Sequence, residues 1–266
     1  MSEAVLRIFS YLPNPRVWKS MIAGELCAVE VEVVGDKPPN LATWLWDYDA
    51  RKLPDDERTP ASPHARVSRR GFSGMLFKTD AFLEAHPFGT VPAAFSSEGR
   101  VGIFESNSIL RAVARAGAHN RPLYGRDDFE ASRVDSFLDA NLVFAREAQV
   151  YLLAMDDPVA ATHERMAAEY EFYLTGIENT LRHANYLVGD ALSIADISFV
   201  CDFAQFLREG HYEEALTRAE LVLVSTDGLD EYPHAYGHML RLSETDAFAK
   251  HMGSYLNWFR KKLAEE

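Results

Sequence analysis

The hydrophobic pattern of this chain changes period once, at Asn120-Arg121-Pro122, and does not change back. Before that point short apolar runs alternate with helical spacings. After it the apolar series recur at intervals of three and four residues, the mark of helices with one buried face. Leu6 to Tyr11 has the apolar density and length of a strand and stops at Leu12-Pro13-Asn14-Pro15, where prolines break a ladder. Val17, Met21 and Ile22 then share a helical face, and the valine-rich run from Ala28 to Val34 reads as a second strand. Strand, helix and strand in that order predict a parallel α/β unit. A short helix around Thr79 to Ala85 follows. Two strands, Gly89 to Phe95 and Val101 to Phe104, flank a Ser-Ser-Glu-Gly turn, and a helix opens after Glu105-Ser106 and ends near Gly117. The expected domains are therefore 1–118, α/β, and 122–266, all helical. The second contains one helix with Val134, Phe137, Leu138 and Phe144, a next with Met166, Tyr170, Tyr173, Leu174, Ile177 and Leu181, and others near 194–209, 233–243 and 246–263.

Between Gly35 and about Gly74 the order dissolves into Pro, Asp, Ser and Arg around an aromatic cluster of Trp44, Trp46 and Tyr48. An unstructured stretch of that length is uncommon inside a compact domain. Two readings stand level: a variable surface insertion, or a lid whose aromatic residues meet a ligand.

Charge and composition narrow the function. Of the 266 residues 47% are apolar, enough for a sizeable core, and 40 acids against 27 bases leave a net charge of −13. That balance repels phosphate backbones and anionic lipid, so neither nucleic-acid binding nor a membrane-surface role is expected. No run approaches about 18 apolar residues, the length that spans a bilayer. The amino terminus has no signal-peptide pattern. Cys27 and Cys201 are too few for a disulfide framework and have no metal-ligand spacing, so no metal is expected. They read as small core residues of a soluble, cytoplasmic protein.

Three motifs carry chemistry. Thr90-Val91-Pro92 precedes the hairpin, and Val-Pro before a strand suits a cis peptide that turns the Val91 N–H and C=O outward as a template for an extended peptide. Phe104-Glu105-Ser106-Asn107-Ser108-Ile109 opens a helix, so the Ser106 N–H and hydroxyl can receive a carboxylate at its positive end while Glu105 meets an ammonium. Leu192-Ser193-Ile194-Ala195-Asp196-Ile197 has the spacing of a capping box with a hydrophobic staple, which is structural. In this order and layout the motifs resemble the glutathione transferase superfamily, a thioredoxin-like α/β domain followed by an all-helical domain. The resemblance implies glutathione as co-substrate, with the cysteinyl part on the Val91-Pro92 backbone and the γ-glutamyl part on Glu105 and Ser106.

Such a protein needs a donor that favours thiolate over thiol, whose pKa starts near about 8.5. Asn14-Pro15 falls where many members carry Ser-Pro, which makes Asn14 the first choice, with a helix cap as its alternative role. Ser10 and Tyr11 are the fallback donors. Thr90 stands where the family often has Lys or Gln for the glycine carboxylate, and Lys19, Lys78, Arg16 or an arginine of the insertion would have to replace it. The implied reaction is attack on an electrophilic carbon of a small, hydrophobic, bulky aromatic substrate, with Tyr11, Trp18, Trp44, Trp46 and Tyr151 as candidate pocket walls. The lignin β-aryl ether-cleaving members are one such group. A dimer, with itself or a related subunit, is implied as well. A noncatalytic alternative comes from Tyr11-x-x-Asn14-x-Arg16-x-x-Lys19 and Ile103-Phe104-Glu105-Ser106-Asn107-x-Ile109, which resemble the transferase-like scaffold domain of elongation-factor gamma subunits.

Overall fold

Strand β1 (Leu6–Tyr11) ends where Pro13 and Pro15 exclude further pairing, and helix α1 (Pro15–Cys27) begins at once, with Pro15 in its first turn and Asn14 as its cap. The chain returns as β2 (Val31–Asp36), parallel to β1, with Leu6 beside Val31 and Ser10 beside Gly35. A Cβ on Gly35 would collide with the Ser10 carbonyl, so only glycine permits that approach. These elements come from a computed structural model that describes residues 4–68, 72 and 74–265.

The described part of the segment after β2 is not the irregular stretch its composition suggests but a second sheet. A 3-10 turn over Pro38–Thr43 leads into β3 (Trp44–Trp46), β4 (Arg51–Lys52), β5 (Ala65–Val67) and β6 (Met75–Lys78), which form a second four-stranded sheet in the order β4-β3-β6-β5. Trp46 is wholly buried, its indole N–H donates to the Leu41 carbonyl at 3.0 Å, and its ring lies 5.5 Å from Phe9 and 5.8 Å from Phe82. Phe9, Trp44, Trp46, Phe82 and Phe95 belong to one cluster, so the insertion shares its core with the first sheet. Polar ties reinforce it. Arg7 of β1 pairs with Asp49 at 2.6 Å, Asp36 pairs with Lys52 at 2.8 Å, and the Tyr48 hydroxyl donates to the Ser97 carbonyl at 2.6 Å.

Helix α2 (Asp80–Ala85), capped by Thr79, then leads to β7 (Ala93–Ser96) and β8 (Gly102–Phe104), which complete a first sheet in the order β2-β1-β7-β8. Helix α3 (Ser106–Ala116) packs against α1 and closes this unit, residues 1–117. Cys27 is wholly buried within it.

Residues 118–266 form a second unit, and its described part is helical. Its elements are α4 (Asp128–Leu153), α5 (Ala160–Leu181), α6 (Ile194–Phe206), α7 (Glu213–Arg218), α8 (Gly228–Glu231), α9 (Pro233–Ser243), α10 (Asp246–Met252) and α11 (Asn257–Glu265). Met166, Tyr170, Tyr173, Leu174, Ile177 and Leu181 all lie on the buried face of α5, as their spacing predicts. Two expected helices are interrupted: α6 tightens into a 3-10 turn over Leu207–Tyr212, and Gly253, at φ 53°, separates α10 from α11. A buried chain of hydrogen bonds from Ser198 through Asn141 to Tyr173 ties α6, α4 and α5 together.

The capping box at α6 is present and extended. Asp196, wholly buried, accepts from the Ser193 N–H, the Ser193 hydroxyl and the Leu187 N–H, each at 2.9 Å. His238 Nε2 is a further partner at 2.9 Å. Arg241 donates to His238 Nδ1 at 2.8 Å, which leaves the imidazole hydrogen on Nε2, facing Asp196. Among the described residues no helix is long and apolar enough to cross a membrane.

Candidate functional site

The candidate residues of the first unit gather where β1, β7 and β8 end. In the ladder β1 pairs with β7 as Phe9 with Ala93, and β7 pairs with β8 as Ala93 with Phe104. Val91 stands two residues before β7 and Ser106 two residues after β8, so both lie just beyond the strand ends at the same edge of the sheet as Tyr11, the last residue of β1. The Val91-Pro92 bond is cis, as the sequence predicts, and Pro92 is buried.

Glu105 joins β8 to α3 at this edge. Its φ of 65° and ψ of 126° lie in a region that side-chain-bearing residues rarely adopt. The surrounding structure holds it there, and such residues concentrate at ligand sites. Its side chain is exposed and makes no capping bond, so it is available to an ammonium group. Ser106 and Asn107 start α3 and are 7% and 3% exposed, so an anion reaching the helix N-terminus meets a site largely shielded from water.

Behind them lies a residue that sequence reasoning considered only for another role. Lys19 of α1 is 1% exposed, and its Nζ donates to Asn107 Oδ1 at 2.9 Å and Ser106 Oγ at 3.4 Å. Its Nζ thus faces the start of α3. Lys78, the last residue of β6, lies 9% exposed with its Nζ donating to the Gly89 carbonyl at 2.6 Å and standing 4.5 Å from the Trp46 ring centroid. Burial pushes its pKa down to about 8. Arginines 51, 58 and 66 of the insertion are engaged with Glu57, Asp55 and Asp80.

The thiol donor needs a correction. Asn14 is wholly buried, its Oδ1 accepts from the Arg16 N–H at 3.0 Å, and its Nδ2 donates to Ser10 Oγ at 3.1 Å. It is a helix cap with no surface to offer a thiol. Ser10, which accepts that bond, is closed off from a ligand by its own complete burial. Tyr11 alone of the three is partly exposed.

The expected aromatic walls are corrected too. Trp18, Trp44 and Trp46 are 6%, 9% and 0% exposed and belong to the interior of the first unit. Tyr151, 1% exposed, donates its hydroxyl to buried Glu209 at 3.0 Å within the second unit, and Glu209 in turn accepts from the Val224 and Ser225 N–H groups. Burial pushes that carboxyl's pKa up. The second unit also carries an open groove of about 680 Å³ between α4 and α5, bordered by Arg133, Phe137, Glu171 and Phe172, and none of the candidate catalytic or glutathione-binding residues lines it.

A β-α-β unit completed by an α-β-β-α half, with a cis Val-Pro ahead of the hairpin, followed by a helical unit with a capped inner helix, defines the glutathione transferase fold. Residues 138–246 match the glutathione S-transferase carboxy-terminal domain model. That stretch of the chain is therefore a glutathione S-transferase carboxy-terminal domain. It is 24% identical over 196 residues to a glutathione S-transferase-like protein, LUC7, of a Fusarium species, covering 72% of this chain and 73% of that protein. It is 28% identical over 185 residues to elongation factor 1-gamma 1 of Oryza sativa subsp. japonica, covering 68% of this chain. Only 40% of that factor's length is matched. The glutathione transferase URE2P8 of Phanerochaete chrysosporium, solved with oxidized glutathione, superimposes with a TM-score of 0.66 at 15% identity over 100% of this chain and 99% of that one.

Proposed function

We infer that this protein is a glutathione transferase. The observation that carries the reading is that Tyr11, Val91 and Ser106 gather at one edge of the sheet, at the ends of three adjacent strands, beside the strained, exposed Glu105. An extended tripeptide suits such an edge. The Val91 main chain pairs with the cysteinyl residue, Ser106 and the α3 N-terminus take the γ-glutamyl carboxylate, and Glu105 takes the γ-glutamyl ammonium. Lys78, beside the 89–91 segment, supplies the cation for the glycine carboxylate that Thr90 cannot.

Tyr11 donates its hydroxyl hydrogen to the sulfur and stabilises thiolate, with the thiol proton released to solvent. The sulfur lone pair then forms a carbon–sulfur bond to the electrophilic carbon of a bulky aromatic substrate. The leaving group departs with the electron pair of the broken bond and takes a proton from water. A lignin-type β-aryl ether is one substrate of that chemistry, its aryl oxide the leaving group.

Turnover with a chromogenic β-aryl ether and an aryl halide tests the reaction. Glutathione-dependent release of the leaving group is expected. If the protein binds glutathione and releases nothing from either substrate, the noncatalytic reading favoured by the elongation factor 1-gamma relatives takes its place.

A further inference from the structure

Between Leu83 and Val91 one side chain alone is buried, and it belongs to a histidine. His86, the residue that follows α2, is 1% exposed, and its imidazole sits in a box of aromatic rings. Phe82 of α2 lies 5.1 Å away between ring centroids, Phe95 of β7 4.7 Å and Phe104 of β8 6.4 Å. Neither Nδ1 nor Nε2 has a hydrogen-bond partner, and the Ala94 backbone comes near without bonding geometry. A buried polar ring without partners is uncommon, and it is tolerated only while uncharged. Burial accordingly pushes its pKa down to about 4. Aromatic faces attract a cation weakly, which does not replace the water lost to a charge and two N–H donors.

The same ring fastens a stretch of chain. Pro87, Phe88 and Thr90 are exposed. From the end of α2 to Val91 the chain is held by the His86 side chain, by the Gly89 N–H donating to the His86 carbonyl at 2.8 Å, and by Lys78 Nζ on the Gly89 carbonyl.

We propose that His86 is a pH-sensitive pin: neutral, it fastens residues 86–91 to the first sheet, and protonated, it leaves the aromatic box and releases the segment that carries Gly89 and Val91. The groups that face the ring are Phe82 on α2, Phe95 and the Ala94 backbone on β7, and Phe104 on β8, none of which titrates. Lys78 is charged below about pH 8 and adds no slope under neutrality. Once released, His86 regains an ordinary pKa of 6.5, against about 4 in the box. Between those values the open form binds more protons, so opening grows as pH falls from 6.5 toward 4. A consequence for glutathione rests on the reading that the Val91 main chain pairs with it.

Amide hydrogen exchange on the full chain, corrected for intrinsic rates, reads the opening at Gly89. From pH 7 to pH 5 its opening constant in wild type should rise about 20-fold, the ratio that pKa values of 6.5 and about 4 give. His86→Phe keeps an aromatic ring that cannot take a proton and should hold the constant within about threefold. Ile22, wholly buried in α1, should stay better protected than Gly89 at both pH values. A flat wild type, an equal rise in His86→Phe, or Gly89 and Ile22 opening as one would overturn the pin. Should His86→Phe not fold, carbon-13 NMR of the wild-type imidazole decides: a His86 midpoint near 4 supports the pin and one near 6.5 overturns it. Saturating S-hexylglutathione should suppress the Gly89 opening at pH 5. Opening that follows pH and ignores this ligand would overturn the glutathione reading and leave the pin standing.

Discussion

The Asn14 amide nitrogen donates to the Ser10 hydroxyl across 3.1 Å, and both side chains are shut away from solvent. Burial thus sets two of three candidate thiol donors aside and leaves Tyr11, which is partly exposed. Tyr11→Phe should raise the pKa of bound glutathione and slow turnover about 10-fold, most visibly near neutral pH, where thiolate is scarce; about 1.4 kcal/mol is reasonable for one donor to an anion. Ser10→Ala should leave the pH profile unchanged. Asn14→Ala should act on stability, lowering it by about 1 kcal/mol through loss of the α1 cap. A pH–rate profile displaced by Asn14→Ala and untouched by Tyr11→Phe would return the role to the amide.

Glu105 sets function against stability. At φ 65° a side chain is strained, and glycine is not. Glu105→Gly should therefore stabilise the first unit by about 1 kcal/mol in urea unfolding while weakening glutathione binding about 10-fold, since the carboxylate that meets the ammonium is gone. A variant that is less stable and binds normally would remove Glu105 from the site.

Lys78 gives the site a pH dependence with a definite sign. Burial lowers its pKa from 10.5 to about 8, so it is charged below that pH and neutral above it. A bound carboxylate favours the charged form, so affinity for S-hexylglutathione, whose sulfur cannot titrate, should fall as pH rises through about 8. Lys78→Arg keeps its charge and should flatten the curve. Folding has the opposite slope: between about 8 and 10.5 the unfolded chain binds more protons at this residue than the folded one, so its contribution to stability rises with pH. A flat wild-type binding curve would take Lys78 off the glycine carboxylate.

The insertion is tested through Trp46. Its ring sits among Phe9, Phe82 and Phe72 in a core common to both sheets, so Trp46→Ala should cost about 3–5 kcal/mol and unfold the first unit as a whole. Deleting residues 35–74 should abolish folding of that unit along with glutathione binding, not trim substrate range alone. Loss of activity toward large substrates with glutathione affinity intact would restore the lid.

The helical half was legible because α5 repeats its apolar residues over several turns, from Met166 to Leu181, and a period of 3.6 is hard to mistake at that length. The hairpin and α3 were legible because Val91-Pro92 and Glu105-Ser106 carry local geometry of their own. The second sheet was not. Its strands are two to four residues long, too short for alternation to register, and what holds them is Trp46 meeting Phe9 and Phe82, residues distant in sequence. The only local signal was the tryptophan pair, and buried aromatic residues look the same on paper as a ligand's walls. Asn14 shows the same limit at the site: its sequence permits both a cap and a thiol donor, and what separates them is its complete burial together with the Arg16 N–H bond to its Oδ1, neither of which the sequence displays.

Calorimetric titration of the full chain with glutathione at neutral pH measures most directly whether this edge of the first sheet is a tripeptide site. Saturable heat at millimolar ligand or below is expected, displaced by S-hexylglutathione and weakened about 10-fold by Ser106→Ala, the scale of a lost hydrogen bond to a charged group. No heat and no competition, or binding that Ser106→Ala leaves untouched, would contradict it.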